Sequence, residues 1–266
     1  AAFRSALSHP RLVALLITAR NPSRIAQGYR YPHTSFTMAP KFFVLARVVS
    51  RDGALEFWRE RLVHLCEVSK TEPYGDSYYW GYDLDGAKDT LWGLEGYTHP
   101  IGFFIDHVSS DIFKREMELV DKDRLLRTVQ GLGSPDYDLH HYDQYGGYLK
   151  REDDPDADSK TSVVVAIHHW AVEESRRVEV LDRLVSFSTK ARQAPIGLQS
   201  ALVLKECRDT TLSTLWLRFD SLQAWEDLQN SGEYKSLTAD IEPLTRSTQV
   251  HRSQVFNGHI GLKDKV

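Results

Sequence analysis

The chain has 266 residues, 41% of them hydrophobic and 26% charged, with a formal net charge of -4. That composition belongs to a folded globular protein rather than a disordered or fibrous one, and the charge balance excludes the basic footprint of a nucleic-acid binder. Cys66 and Cys207 are its only cysteines, one in each half, which excludes a disulfide scaffold; both are expected as buried free thiols in a reducing compartment.

Residues 1–38 stand apart. Arg4, Arg11, Arg20, Arg24 and Arg30 are scattered among Ser, Ala and Leu, and no Asp or Glu occurs before Asp52. Two readings fit: an organelle transit peptide, or an upstream extension of a chain whose natural start is Met38. The apolar run 12–17 is far shorter than the roughly 20 residues that span a bilayer. The compartment is therefore expected to be the cytoplasm, or the mitochondrion if the arm is a transit peptide, with no membrane partner.

From residue 41 the pattern becomes regular. The β-branched and aromatic run 41–50 predicts a strand. Residues 54–70 predict a helix, with Leu55, Trp58, Leu62, Leu65 and Cys66 recurring at three and four spacing. Strands follow over 77–83 and 90–96. After the break at 96–100 come a helical turn carrying Phe103, Phe104 and His107, then a second helical piece over 110–125. A fourth strand runs over 137–148, its Gly146–Gly147 pair marking a bulge or bend. Residues 152–161 are acidic, contain Pro155 and read as a linker.

Beyond the linker the order repeats. A strand is expected over 162–170 and a helix over 173–192, with Val178, Leu181, Leu184, Val185 and Ser188 on one side. A hairpin follows over 198–207 and 211–219, then a helix over 221–230 capped by Ser221, a helical turn over 234–244, and a last strand over 249–256. Each half is therefore β-α-β-β-α-β, the ferredoxin-like unit. The fold class is α+β: two tandem units, 39–151 and 162–260. Four antiparallel strands with helices on one face leave the other face bare, and a bare apolar sheet needs a partner. The second copy can supply it within the chain, as an internal pseudo-dimer that is a monomer or pairs further as a homodimer.

The strand end Glu95-Gly96-Tyr97, the segment His107-Val108-Ser109 and Phe113-Lys114 resemble the antibiotic biosynthesis monooxygenase family of the dimeric α+β barrel superfamily. The likeness extends from about 42 to 148, and more faintly over 163–256, where Gln229-Asn230-Ser231 and Tyr234-Lys235 stand in the matching places. It implies a fused barrel with one pocket per half, between the sheet and its helices. It also implies oxidation of aromatic polyketides by dioxygen without metal or flavin; haem degradation and the modification of signalling molecules also occur in the family. Carried over residue by residue, it makes His107 and Glu95 the catalytic candidates. The asparagines found in the pockets of some members have no counterpart in the first half.

The residues themselves point the same way. The first half concentrates Tyr78, Trp80, Tyr82, His140 and Tyr142, expected to bind an aromatic substrate. Strand alternation puts Tyr78, Trp80 and Tyr82 on one side, and His140 and Tyr142 together on one side of theirs. Aromatic walls with a few polar tips suit such a ligand. His107 titrates near neutrality and can act as a general base oriented by Glu95; equally, Glu95 can cap the following helix and His107 can be structural. His168 and His169 are strand neighbours, point oppositely and cannot share one metal ion. No zinc-type His or Cys spacing, GxGxxG or GxxxxGK occurs, so no cofactor is assigned. Trp58, Trp92, Trp216 and Trp225 are expected in the core. The function expected is a small-molecule enzyme oxygenating an aromatic metabolite after base-assisted deprotonation. The alternatives are an isomerase, cyclase or decarboxylase using the same step, or a non-catalytic binder of hydrophobic ligands.

Overall fold

Strand β1 (Phe42–Val49) sets the frame: its odd residues Phe43, Leu45 and Arg47 face one way, and Val44, Ala46 and Val48 the other. In the computed structural model, which describes residues 41–152, 154, 161–193 and 197–263, both faces are covered. The chain continues through α1 (Leu55–Ser69), β2 (Gly75–Asp83), β3 (Thr90–Tyr97), a π-helical turn (Gly102–His107), α2 (Asp111–Lys122) and β4 (Tyr137–Tyr148). The second half runs β5 (Val163–Ala171), α3 (Arg177–Ala191), β6 (Leu198–Glu206), β7 (Leu212–Phe219), α4 (Leu222–Asn230), α5 (Gly232–Ile241) and β8 (Thr245–His259).

The eight strands close into one barrel, in the order β1-β3-β2-β8-β5-β7-β6-β4, with antiparallel neighbours throughout. Each half contributes a four-stranded ferredoxin-like sheet. The seams are β2–β8, where Tyr78 pairs with His259, and β4–β6, where Tyr148 pairs with Ala201. Closure removes the exposed strand edges that either sheet would otherwise present. It also buries the bare faces against each other: Phe43, Leu45, Tyr79, Leu94 and Tyr142 of the first half meet Leu202, Leu204, Trp216 and Val255 of the second. The helices pack outside, α1 and α2 on the first sheet and α3 to α5 on the second.

Register shifts accompany both seams, between Trp80 and Gly81 and between Gln144 and Gly146. The second is the bend expected from the glycine pair. Gly147 has φ +84°, and a Cβ there would lie 2.0 Å from the Ala201 carbonyl oxygen across the seam. Gly147→Ala is therefore expected to lower unfolding free energy by about 1–3 kcal/mol, read by urea denaturation; an unchanged midpoint would show that the seam can shift to admit a methyl group.

Three expectations need correction. Val178 is exposed, and Val180 takes its place in the α3 seam with Leu181, Leu184 and Phe187; the α-helix begins at Arg177, after a 3-10 turn over Glu174–Arg176, and Val178 lies in its first turn on the solvent side. Cys207 is exposed at the β6–β7 turn, while Cys66 is buried as expected. β8 is 15 residues long, its N-terminal part reading as polar because it is largely exposed. The arm 1–38 and most of the linker lie outside the described residues. Asp154, within the linker, is not a solvated spacer: its carboxylate is buried against Arg218, whose guanidinium also donates to Ser200 Oγ and lies 5.7 Å from the Tyr79 ring centroid. Among the described residues no helix is long and apolar enough to cross a membrane.

Candidate functional site

The helix-facing side of the first sheet collects ionisable groups that its apolar surroundings do not explain. β3 ends in Glu95 and Tyr97, both on that side, and β2 places Tyr78 directly across the ladder from Glu95. The π-helical turn brings His107 over them. The rings of Tyr97, Tyr78 and Phe113 stand 6.0, 6.1 and 5.0 Å from the imidazole. π-Helical turns are rare and recur at functional sites. Here the turn ends at His107, and three residues on the Ser110 hydroxyl accepts from Phe113 N–H and starts α2.

The partner of His107 is Glu72, in the break after α1. His107 Nδ1–H donates to Glu72 Oε1 at 2.8 Å, which fixes the tautomer and orients the ring. Glu95 does not make this bond; it accepts from Tyr97 O–H at 3.0 Å and acts on His107 through its charge. Two atoms of the cluster, His107 Nε2 and Glu72 Oε2, are buried without a hydrogen-bond partner among the described residues. Such orphans are rare in folded proteins and call for an explanation. Burial acts against the charged imidazolium, but the bond to Glu72 and the charges of Glu95 and Glu72 prevail and raise the His107 pKa. Burial likewise pushes the Glu95 carboxyl up, against the pull of His107, and drives the Tyr78 and Tyr97 hydroxyls well above their ordinary range.

The cluster is closed in this structure, since Glu72, Tyr78, Glu95, Tyr97 and His107 are all buried. Its cover is the π-helical turn and the residue before it, from which Ile101, Phe104 and Ile105 point outward as exposed apolar side chains. The matching face of the second half has no such chemistry. It is filled by Val165, Leu181, Leu184, Leu217, Trp225 and Leu237, and Gln229 and Asn230, which the repeat aligns near His107, are exposed.

The other expected ligand-binding residues divide between the two sides of the sheet. Tyr78 belongs to the His107 cluster. Tyr82, on the same face, lies at the rim and donates to Glu56. Trp80 packs with the helices, its ring over Gly93, yet also borders a cavity on the lumen side. His140 and Tyr142 share the lumen side. His140 lines the cavity, and the Tyr142 hydroxyl accepts from Thr214 at 3.0 Å. The strands thus separate His107, Glu95 and Tyr78 from His140 and Tyr142.

The lumen cavity has a volume of about 150 Å3 and is bordered by both halves. Its walls include Trp92, Trp170 and Trp216 with His140, His168 and His251, and its mouth carries Arg47 and Asp138. Trp92 is stacked on His251, with centroids 4.2 Å apart. Trp58, Trp216 and Trp225 are core residues as expected, Trp216 lining this space as well; Trp92 is not, being half-buried at the cavity with its indole N–H donated to Asp83 at 2.8 Å. His168 faces the cavity and His169 bonds Thr248, pointing the other way as strand alternation requires. Among the described residues no group of three His, Cys, Asp or Glu side chains is placed to hold a metal.

No protein-family model and no curated protein matches the sequence. Solved structures do match the fold. The barrel is similar to a candidate monooxygenase from Fusobacterium nucleatum (TM-score 0.69, 10% identity, 84% of this chain and 96% of that one). It is also similar to a candidate monooxygenase from Lactobacillus acidophilus (TM-score 0.67, 10% identity, 84% and 97%), and to an anthrone oxidase-like protein (TM-score 0.57, 15% identity, 85% and 95%). At these identities the likeness is one of fold.

Proposed function

We propose that the chain is a small-molecule oxygenase whose chemistry is carried by the His107 cluster in the first half. The observation behind this reading is a buried imidazole held at Nδ1 by a carboxylate, with Nε2 facing no protein partner. That is the arrangement of an oriented general base. The substrate is an aromatic metabolite with an acidic phenol or a doubly activated methylene, as in anthrones. Nε2 takes the proton, and the imidazolium so formed, held at Nδ1 by Glu72, faces the anion that results. The electron-rich anion passes an electron to dioxygen. Recombination gives a hydroperoxide, and loss of water leaves a carbonyl where the methylene stood, so one oxygen atom enters the product and the other leaves as water. Exclusion of bulk water by the cover favours this route over protonation. The fold shared with candidate monooxygenases and an anthrone oxidase-like protein supports the reading.

The test is oxygen uptake during incubation with a panel of anthrones and polyhydroxylated aromatics. Uptake matched one to one by carbonyl product is expected. Product without oxygen uptake would instead assign an isomerase, cyclase or decarboxylase using the same base, and a wild-type protein inert towards the whole panel would overturn the proposal. The lumen cavity favours a second activity of a different kind, ligand binding without chemistry.

A further inference from the structure

The lumen cavity lies across the strands from His107, and the oxygenase reading leaves it without a use. We propose that it is a separate binding site for an uncharged single-ring aromatic of the phenol class, whose ring lies among the indole and imidazole faces and whose hydroxyl donates to His168 Nε2. The volume of about 150 Å3 suits one ring, since an apolar cavity of about that size takes up benzene. The walls suit a ring as well: Trp92 stacks on His251, and His168 lies 5.5 Å from His251 and 5.9 Å from Trp170 between centroids.

The polar anchor follows from a hydrogen-bond relay. Thr214 O–H donates to the Tyr142 hydroxyl, so its oxygen is free to accept from His168 Nδ1–H at 2.8 Å. That order leaves Nε2 with its lone pair and no partner among the described residues. Burial and the neighbouring histidines hold His168 down to about 3, so at neutral pH it stays an acceptor. A hydroxyl is the complement of a lone acceptor in an aromatic box. A carboxylate is not. Asp138 already sits 3.8 Å from Arg47 and 3.5 Å from His140, and Glu206 stands 3.9 Å from His140 on its other side. Each of these cations has a carboxylate within ion-pair reach, so an added anion would lose water and gain at most the one N–H left unpartnered there among the described residues, Arg47 Nε.

The experiment is titration of the whole chain with p-cresol, toluene and benzoate, followed by tryptophan fluorescence and calorimetry. Saturable binding of one p-cresol per chain is expected, about fivefold tighter than toluene, as one net hydrogen bond supplies, with benzoate weaker than both. His168→Leu should bring p-cresol to the level of toluene. Ala166→Leu, which puts a larger side chain into the recess, should weaken both neutral ligands at least tenfold. Should Ala166→Leu not fold, the His168→Leu comparison decides alone. His107→Gln should leave all three affinities unchanged, which separates this site from the oxygenase reading whatever the outcome of turnover assays. Absence of saturable p-cresol binding, binding indifferent to both lumen variants, or a preference for benzoate overturns the proposal.

Discussion

Replacing His107 by glutamine is expected to lower turnover by about a hundredfold to ten-thousandfold, the usual weight of a general base, while the far-ultraviolet spectrum and unfolding cooperativity persist. Glutamine keeps an N–H that can reach Glu72 but has no basic nitrogen. The pH profile carries the sharper information. His107 is raised above its ordinary value near 6.5 by Glu72 and Glu95 against the opposing effect of burial. The free base, and with it kcat/KM, should therefore grow through a midpoint above 6.5. The linked effect on stability runs the other way. A raised folded pKa means stabilisation that is complete below the unfolded value and lost as pH rises through the folded one. Glu95, also raised, acts in the same direction from the lower carboxylate range. Glu72→Gln keeps an acceptor for Nδ1–H and removes the charge, so the activity midpoint should move to lower pH. A midpoint that stays put in Glu72→Gln would show that His107 is not the group being titrated.

Trp216→Ala is expected to destabilise the chain by about 3–5 kcal/mol, as for other large-to-small changes of buried aromatics. The indole is only 2% exposed and meets the Tyr79 ring edge-on at 6.2 Å across the lumen. Because it belongs to the second half and Tyr79 to the first, the loss should be felt by both. With a chain of this size the midpoint should fall by on the order of 10 °C, in one calorimetric transition. Two transitions, only one of them shifted, would mean that the halves fold separately despite the shared lumen.

How far the sequence was legible depends on the range of the interaction. The order of strands and helices follows from local periodicity, and the fold follows because two sheets with one bare face each have few other ways to cover it. The face shared by Tyr78 and Glu95, and the opposite one holding His140 and Tyr142, follow from strand alternation and pairing. Which face encloses a cavity does not, since that depends on how side chains from strands far apart in sequence fill the lumen. Glu72 was missed for the same reason. It stands 35 residues before His107 in a polar break, where an acidic residue is unremarkable; the one local sign was its place beside Pro73 at a sharp turn. His251 and Arg47 lie in strands that read as ordinary, and only barrel closure brings them together.

The contrast between the polar face of one half and the apolar face of the other has a consequence for how such a protein can change. In an assembly of two identical subunits every substitution appears twice, so a residue that sharpens one pocket must be tolerated in its twin. Here the two sheets are written separately in one chain. His107 and Glu72 carry their buried charge once, and the opposite half, relieved of that burden, is free to pack its helix-facing side with apolar residues alone.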